Sequence, residues 1–162
     1  MDEAQATLAV LYRGWHDYQG LLIRALAPLS GEQLSRRAAP HLRSIGEVVT
    51  HMIGARARWF HDALGVGDQA FATLGTWDRR GMPARSAAEL VTGLELTWQT
   101  MQEAIARWTL ADWTRTYQND PGDEPDVFTA QWVVWHLIEH DLHHGGEVSL
   151  MLGMHGLAAP DL

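Results

Sequence analysis

The residues best able to do chemistry in this chain are its nine histidines, four of which, His136, His140, His143 and His144, fall close together. On an α-helix, side chains four residues apart lie one above the other, so His136/His140 and His140/His144 are each stacked pairs. Such a pair can grip one divalent metal ion, as the two histidines of an HExxH helix do. Consecutive residues point about 100° apart around a helix, so His143 and His144 are poorly placed to share an ion. A third ligand must come from another element. His51 is the best candidate: it flanks an apolar stripe one step from Val48, with the small residues Gly54 and Ala55 near it. His136 reads as a buried, hydrogen-bonded residue and His143 as a supporting or surface residue. His16, His41, His61 and His155 read as structural or solvated. Glu147 and Asp141 are the carboxylates close enough to support the site or to take a ligand's place.

The elements that must position these side chains are helical. Leu8, Leu11, Trp15, Tyr18, Leu22, Leu26 and Leu29 recur at steps of three and four, which predicts a helix over about 4–28. Pro28, Ser30 and Gly31 break it. Ser44-Ile45-Gly46-Glu47 is a capping box, predicting a second helix over about 45–64 with Ile45, Val48, Met52, Trp59 and Ala63 facing inward. Gly65 and Gly67 end it. A second capping box, Ser86-Ala87-Ala88-Glu89, opens a third helix with Leu90, Leu94, Trp98, Met101, Ile105 and Trp108 on one stripe. Thr129 can cap a fourth helix over about 130–152, apolar nearly all the way round and therefore central and buried. Two connections are long, about 65–85 and 109–129, the second holding the turn sequence Asn119-Asp120-Pro121-Gly122. Nothing alternates with period two. The expectation is an all-α four-helix bundle in one domain, 1–162, with the long connections over an end of the bundle.

Composition narrows the chemistry. Among 162 residues there is no Cys, which excludes disulfides, thiolate zinc sites and a cysteine nucleophile, and all twelve basic residues are Arg. Without Lys there is no Schiff base and no Walker A lysine. The net charge is −8 and the arginines look scattered, Arg36–Arg37 and Arg79–Arg80 being the densest pairs, so nucleic acid is not expected as a partner. Met1-Asp2-Glu3 is acidic where a secretory signal would be basic, and no apolar run is long enough for a bilayer, so no membrane association and a cytoplasmic location are expected. A di-iron carboxylate site needs Glu-x-x-His, and no Glu here has a His three residues on. No Gly-x-Ser-x-Gly elbow is present. Eight Trp residues exceed what one small core hides, which points to a homodimer built on helix faces.

Two segments carry a resemblance to a known family. Ser44-Ile45-Gly46-Glu47-Val48-Val49-Thr50-His51-Met52-Ile53-Gly54-Ala55 and Trp135-His136-Leu137-Ile138-Glu139-His140-Asp141-Leu142-His143-His144-Gly145-Gly146-Glu147-Val148 resemble the DinB-like superfamily, metal-dependent four-helix bundles that include bacterial thiol S-transferases. The resemblance implies a metal triad of His51, His140 and His144. It departs in one place, because Gly145 and Glu147 stand where the family's His-Arg-Gly-Gln-type motif has Arg and Gln. Three neutral imidazoles leave a coordination position open, the pattern of a catalytic site. The implied activity is transfer of a low-molecular-weight thiol to an electrophile, with hydrolysis by metal-bound water as a sibling. A non-catalytic, metal-binding stress-response or interaction protein is the alternative. One divalent ion per chain is implied, Zn or Ni foremost and Fe, Mn or Cu also compatible with histidine ligands. Trp77, Asp78, Arg79 and Arg80 could recognise a carboxylate-bearing thiol, although a solvated polar loop is the plainer reading.

Overall fold

In the computed structural model, residues 3–118 and 127–160 are described; the turn expected at Asn119–Gly122 lies outside them. Four long helices dominate: α1 (Glu3–Leu26), α3 (Ile45–Ala57), α5 (Ala87–Ile105) and α7 (Ala130–Met154), joined through the short helices α2 (Gly31–Leu34), α4 (Gln69–Leu74) and α6 (Leu110–Thr114). Both expected capping boxes form. Ser44 and Ser86 accept from the backbone N–H of Glu47 and Glu89, whose carboxylates reach back to the cap N–H groups. Thr129 caps α7 through the Trp132 N–H. The same device recurs at Ser30/Gln33 and Thr109/Asp112, where it starts the single turns α2 and α6, the second inside the connection expected at 109–129.

Helix α3 lies at the centre, packed against both α7 and α5, while α1 packs on α5. Leu22, Leu26, Ile45, Ile53, Phe60, Leu90, Leu94, Met101 and Leu137 are fully buried between them. Beyond Ala57 the helix widens into a π-helical stretch, Arg58–Ala63. The extra residue in the turn rotates the faces, so Phe60 enters the core and Trp59, expected inward, is only half-buried.

Two further expectations are corrected. The second connection contains a short antiparallel hairpin, β1 (Thr116–Gln118) with β2 (Val127–Thr129), so period-two structure does occur. Its Phe128 packs against Trp59, and this aromatic contact fixes a strand too short to show alternation. Helix α7 is not buried all round either. Val133, Val134, Leu137, Val148, Met151 and Leu152 face the core, but Trp132, Trp135, Leu142, Leu150 and Met154 are exposed.

Candidate metal centre

His51 stands on the second turn of α3, and His140 and His144 stand one turn apart on α7, across the seam where these two helices pack. The three rings converge: centroids lie 5.1 Å apart for His51–His140, 5.0 Å for His51–His144 and 4.4 Å for His140–His144. One nitrogen from each lies within 4.8 Å of the others. The Nε2 atoms of His51 and His140 are 3.3 Å apart. Two imidazole nitrogens bound to one tetrahedral zinc at ~2.0–2.1 Å would be separated by about that distance. The donor set fits a divalent ion.

Orientation is supplied by carboxylates on the far side of two rings. His51 Nδ1 bonds Asp78 Oδ2 at 2.8 Å, which makes Nδ1 the protonated nitrogen and leaves the Nε2 lone pair pointing at the convergence. Asp78 is itself clamped by Arg58, with Nη1 to Oδ1 at 2.6 Å and Nη2 to Oδ2 at 3.0 Å, while Nη1 also reaches the Gly75 carbonyl at 2.6 Å. Gly54 makes room for this clamp: a Cβ there would stand 2.9 Å from both Arg58 Nη1 and Asp78 Oδ1. On α7, His144 Nδ1 bonds Glu147 Oε2 at 2.7 Å, the same arrangement within one helical turn. Among the described residues His140 has no such partner, and its Nδ1 is a buried nitrogen without a hydrogen bond.

The electrostatics keep two of these rings, His140 and His51, in the ligating form. Burial is the largest effect on His140 and, with His144, His51, His136 and Arg56 nearby, pushes its pKa down to about 3. Burial also lowers His51, outweighing the opposing bond to Asp78, and Arg43 and His144 act in the same downward direction. Burial alone would raise Asp78, but the hydrogen bonds from Arg58 and His51 prevail and hold its carboxyl below the usual range. His51 and His140 are thus held neutral, against an ionised Asp78, at neutral pH.

The other expected residues sort themselves by contact. Glu147 supports His144 as described, and His143, with its side chain 69% exposed, only skirts Glu147 at 3.7 Å. His143, His144 and Glu147 also form a cluster of ligating type, but it shares His144 with the triad. His136 is half-buried rather than buried. It bonds Glu139 at 3.0 Å and stacks on Trp132 with ring centroids 4.9 Å apart. Asp141 is removed from candidacy, since it lies fully buried against Arg56 in the core. Gly145, where the resembled motif has Arg, lies against Tyr18: a Cβ there would be 2.0 Å from the phenol oxygen.

Asp78 and Arg58 are the residues the sequence did not reveal as part of the site. Asp78 was expected in a substrate-facing or solvated loop; instead it turns inward to His51, leaving Arg79 and Arg80 outside. The only local sign was Gly54, one turn from His51 on the side where the clamp arrives.

Three imidazoles on the seam of a four-helix bundle, two of them held by carboxylates, form a donor set that could hold a divalent cation. Comparison with known proteins places the protein more narrowly: residues 2–162 match the DinB family, and the chain belongs to it. Its fold is similar to that of a DinB-like protein from Bacillus cereus ATCC 10987, with a TM-score of 0.70 and 22% identity over 93% of this chain and 94% of that one. A DinB-like protein from Bacillus subtilis is similar with a TM-score of 0.63 and 14% identity, over 91% and 93% of the two chains. No match is found among curated proteins.

Proposed function

We propose that this protein binds one divalent metal ion through His51, His140 and His144 and uses it to transfer a low-molecular-weight thiol to an electrophile. Zn or Ni suits the donor set best, with Fe, Mn and Cu also compatible with imidazole nitrogen. The observation that carries the reading is the convergence of three imidazole nitrogens, two of whose rings, His51 and His144, are oriented from behind by Asp78 and Glu147. No carboxylate is among the three ligands, so a dication held there would keep its charge for an incoming anion, lower the pKa of a thiol and present it as thiolate. The chain supplies no thiol of its own. Its residues contribute the rest: Asp78 and Glu147 accept the Nδ1–H of His51 and His144, and burial keeps the His140 ring neutral. The His51 and His144 side chains remain 20% and 12% exposed, so the site is reachable by a small molecule.

The decisive experiment substitutes Co²⁺ for the native metal and adds a low-molecular-weight thiol. A thiolate charge-transfer band in the near ultraviolet is expected, together with transfer to an alkyl halide or epoxide at least ~10²-fold above the uncatalysed rate, both absent in His144→Ala. Hydrolysis of esters or amides without thiol binding would replace this reading with a hydrolase. Thiol binding without turnover would leave a sequestering role in stress. No helix among the described residues is long and apolar enough to cross a membrane. A cytoplasmic location agrees with a thiol cosubstrate, and the exposed Trp132, Trp135, Leu142 and Leu150 of α7 suit a homodimer face. Sedimentation equilibrium should give twice the 18.1 kDa chain mass.

A further inference from the structure

The arginines that look scattered in the sequence are gathered in the fold. A cleft of about 870 Å³ opens between residues 31–50 and the loop 77–86, and five of the twelve arginines line it: Arg37, Arg43, Arg79, Arg80 and Arg85. Only two carboxylates, Glu47 and Asp78, share that lining. This is a concentrated positive surface on a chain whose net charge is −8.

The carboxylates there are already engaged. Glu47 takes both guanidinium nitrogens of Arg37, at 2.6 and 2.9 Å, and Asp78 is held by Arg58 and His51. Arg85 bonds Glu89 at 3.1 Å and lies over the Trp77 ring, 4.5 Å from its centroid. Arg43, Arg79 and Arg80 therefore have no carboxylate partner among the described residues. The backbone presents the last two deliberately. Met82 N–H bonds the Arg79 carbonyl at 3.1 Å, and Gly81 takes φ +86°, a left-handed conformation that costs glycine least, closing a turn with Arg79 and Arg80 on it. Helices α3 and α5 both begin at the cleft wall, at Ser44 and Ser86, and their N-terminal dipole ends add to the positive potential.

Size selects the kind of anion. Clefts of ~300–1,000 Å³ enclose small molecules, whereas a nucleic-acid strand needs an extended basic track. We infer that this cleft binds a small dianionic molecule, carrying carboxylate or phosphate groups, through Arg43, Arg79 and Arg80. The cleft reaches Thr50 and Asp78, on the Nδ1 side of the His51 ring, and none of His51, His140 and His144 is among its lining residues. The anion site is therefore separate from the metal centre and stands whether or not the metal-dependent reading above holds.

The test is isothermal titration of the metal-loaded protein with succinate and, separately, with glycerol 3-phosphate, both weak chelators. At least one should bind saturably with Kd below ~1 mM, and binding should weaken as salt rises from ~20 to ~200 mM. Arg79→Gln/Arg80→Gln and Arg43→Gln should each weaken it at least ~10-fold, while Arg13→Gln, at an exposed position of α1, leaves it unchanged. Which probe binds tells carboxylate from phosphate recognition. His144→Ala should bind as the parent does, which separates this site from the metal centre. Absence of saturable binding by both probes at ~10 mM overturns the proposal. So does binding that survives the arginine substitutions but vanishes in His144→Ala, because the anion would then sit on the metal.

Discussion

Helices α3 and α7 meet in two polar clusters only a few residues apart, and the clusters are built on opposite rules. Arg56 follows His51 by five positions and Asp141 follows His140 by one, so each member of the second cluster is turned well away around its helix from the first. Arg56 and Asp141 are fully buried, with Nη2 to Oδ2 at 2.7 Å. Their remaining capacity is used up by neighbours from the other two long helices. Trp15 Nε1 donates to Asp141 at 2.7 Å, Arg56 donates to Gln19 Oε1 at 2.8 Å, and Gln19 donates to the Leu94 carbonyl at 2.9 Å. Among the imidazoles the opposite holds. The outer Nδ1 of His140 has no partner among the described residues, and the inner Nε2 atoms of His51 and His140 meet each other across the seam at 3.3 Å. Polar groups from all four long helices satisfy one another in the Arg56–Asp141 cluster and hold the bundle together; imidazoles that converge on one another offer their lone pairs to a ligand.

Breaking the satisfied cluster should have the largest effect. Arg56→Ala or Asp141→Ala leaves one charge buried without its partner, and a loss of about 3–5 kcal/mol in unfolding free energy is expected from urea denaturation. The double substitution Arg56→Met/Asp141→Leu removes both charges and should recover much of that loss. If the double variant is as unstable as either single one, the network's role is packing rather than charge pairing.

Breaking the convergent cluster should leave stability nearly intact and abolish metal binding. His51→Ala, His140→Ala and His144→Ala should each weaken metal affinity by more than ~10²-fold, read as metal content by elemental analysis of untagged protein. His143→Ala should keep about one ion per chain. Full occupancy after His51→Ala would move the site onto α7 alone, to His143, His144 and Glu147.

These two clusters also mark how far the sequence could be read. Helix boundaries and the faces of His51, His140 and His144 follow from periods of three and four and from capping boxes, which are local rules that the fold obeys. Partners brought by tertiary closure obey no such rule. Asp78 lies 27 residues from His51, and Asp141 lies 126 residues from Trp15, so neither pairing has a spacing to recognise. Asp141 was plausible as a ligand because it adjoins His140 in sequence, yet one residue of helix rotation carried it into the core. The exposed half of α7 was misjudged for a related reason: an apolar pattern all round a helix says that it is apolar, not which surface its own chain covers.

A smaller effect sharpens the distinction between ligand and support. Asp78→Asn keeps the shape of the clamp but removes the charge that Arg58 and His51 share, and metal affinity should fall ~10–100-fold by competition against a chelator. Glu147→Gln should cost less, because its carboxylate is 45% exposed and water can take its place at His144. Equal losses would mean that exposure does not set the strength of this support.

The gentlest probe is pH, applied to metal-free protein. His140 and His51 have pKa values lowered in the folded chain, to about 3 for His140, against an ordinary value of ~6.5 in the unfolded one. The unfolded chain therefore takes up protons that the folded chain refuses as pH falls below about 6.5. The stability tied to these neutral rings is fully present above that pH and is lost progressively toward pH 3, where His140 protonates in the fold as well. Asp78, with its carboxyl lowered, adds a second loss only below the ordinary carboxylate range near pH ~4. Thermal unfolding followed by circular dichroism from pH 7 to pH 4 should show Tm falling steadily through that window. In His140→Gln, which replaces the ring with a group that does not titrate, the decline should be shallower between pH 6.5 and 4. Bound metal should flatten the parent's profile at neutral pH, because it stabilises the same neutral rings until protons outcompete it. A parent and variant with parallel profiles would show that His140 is not held neutral by burial, and the contrast between the two clusters would lose its electrostatic half.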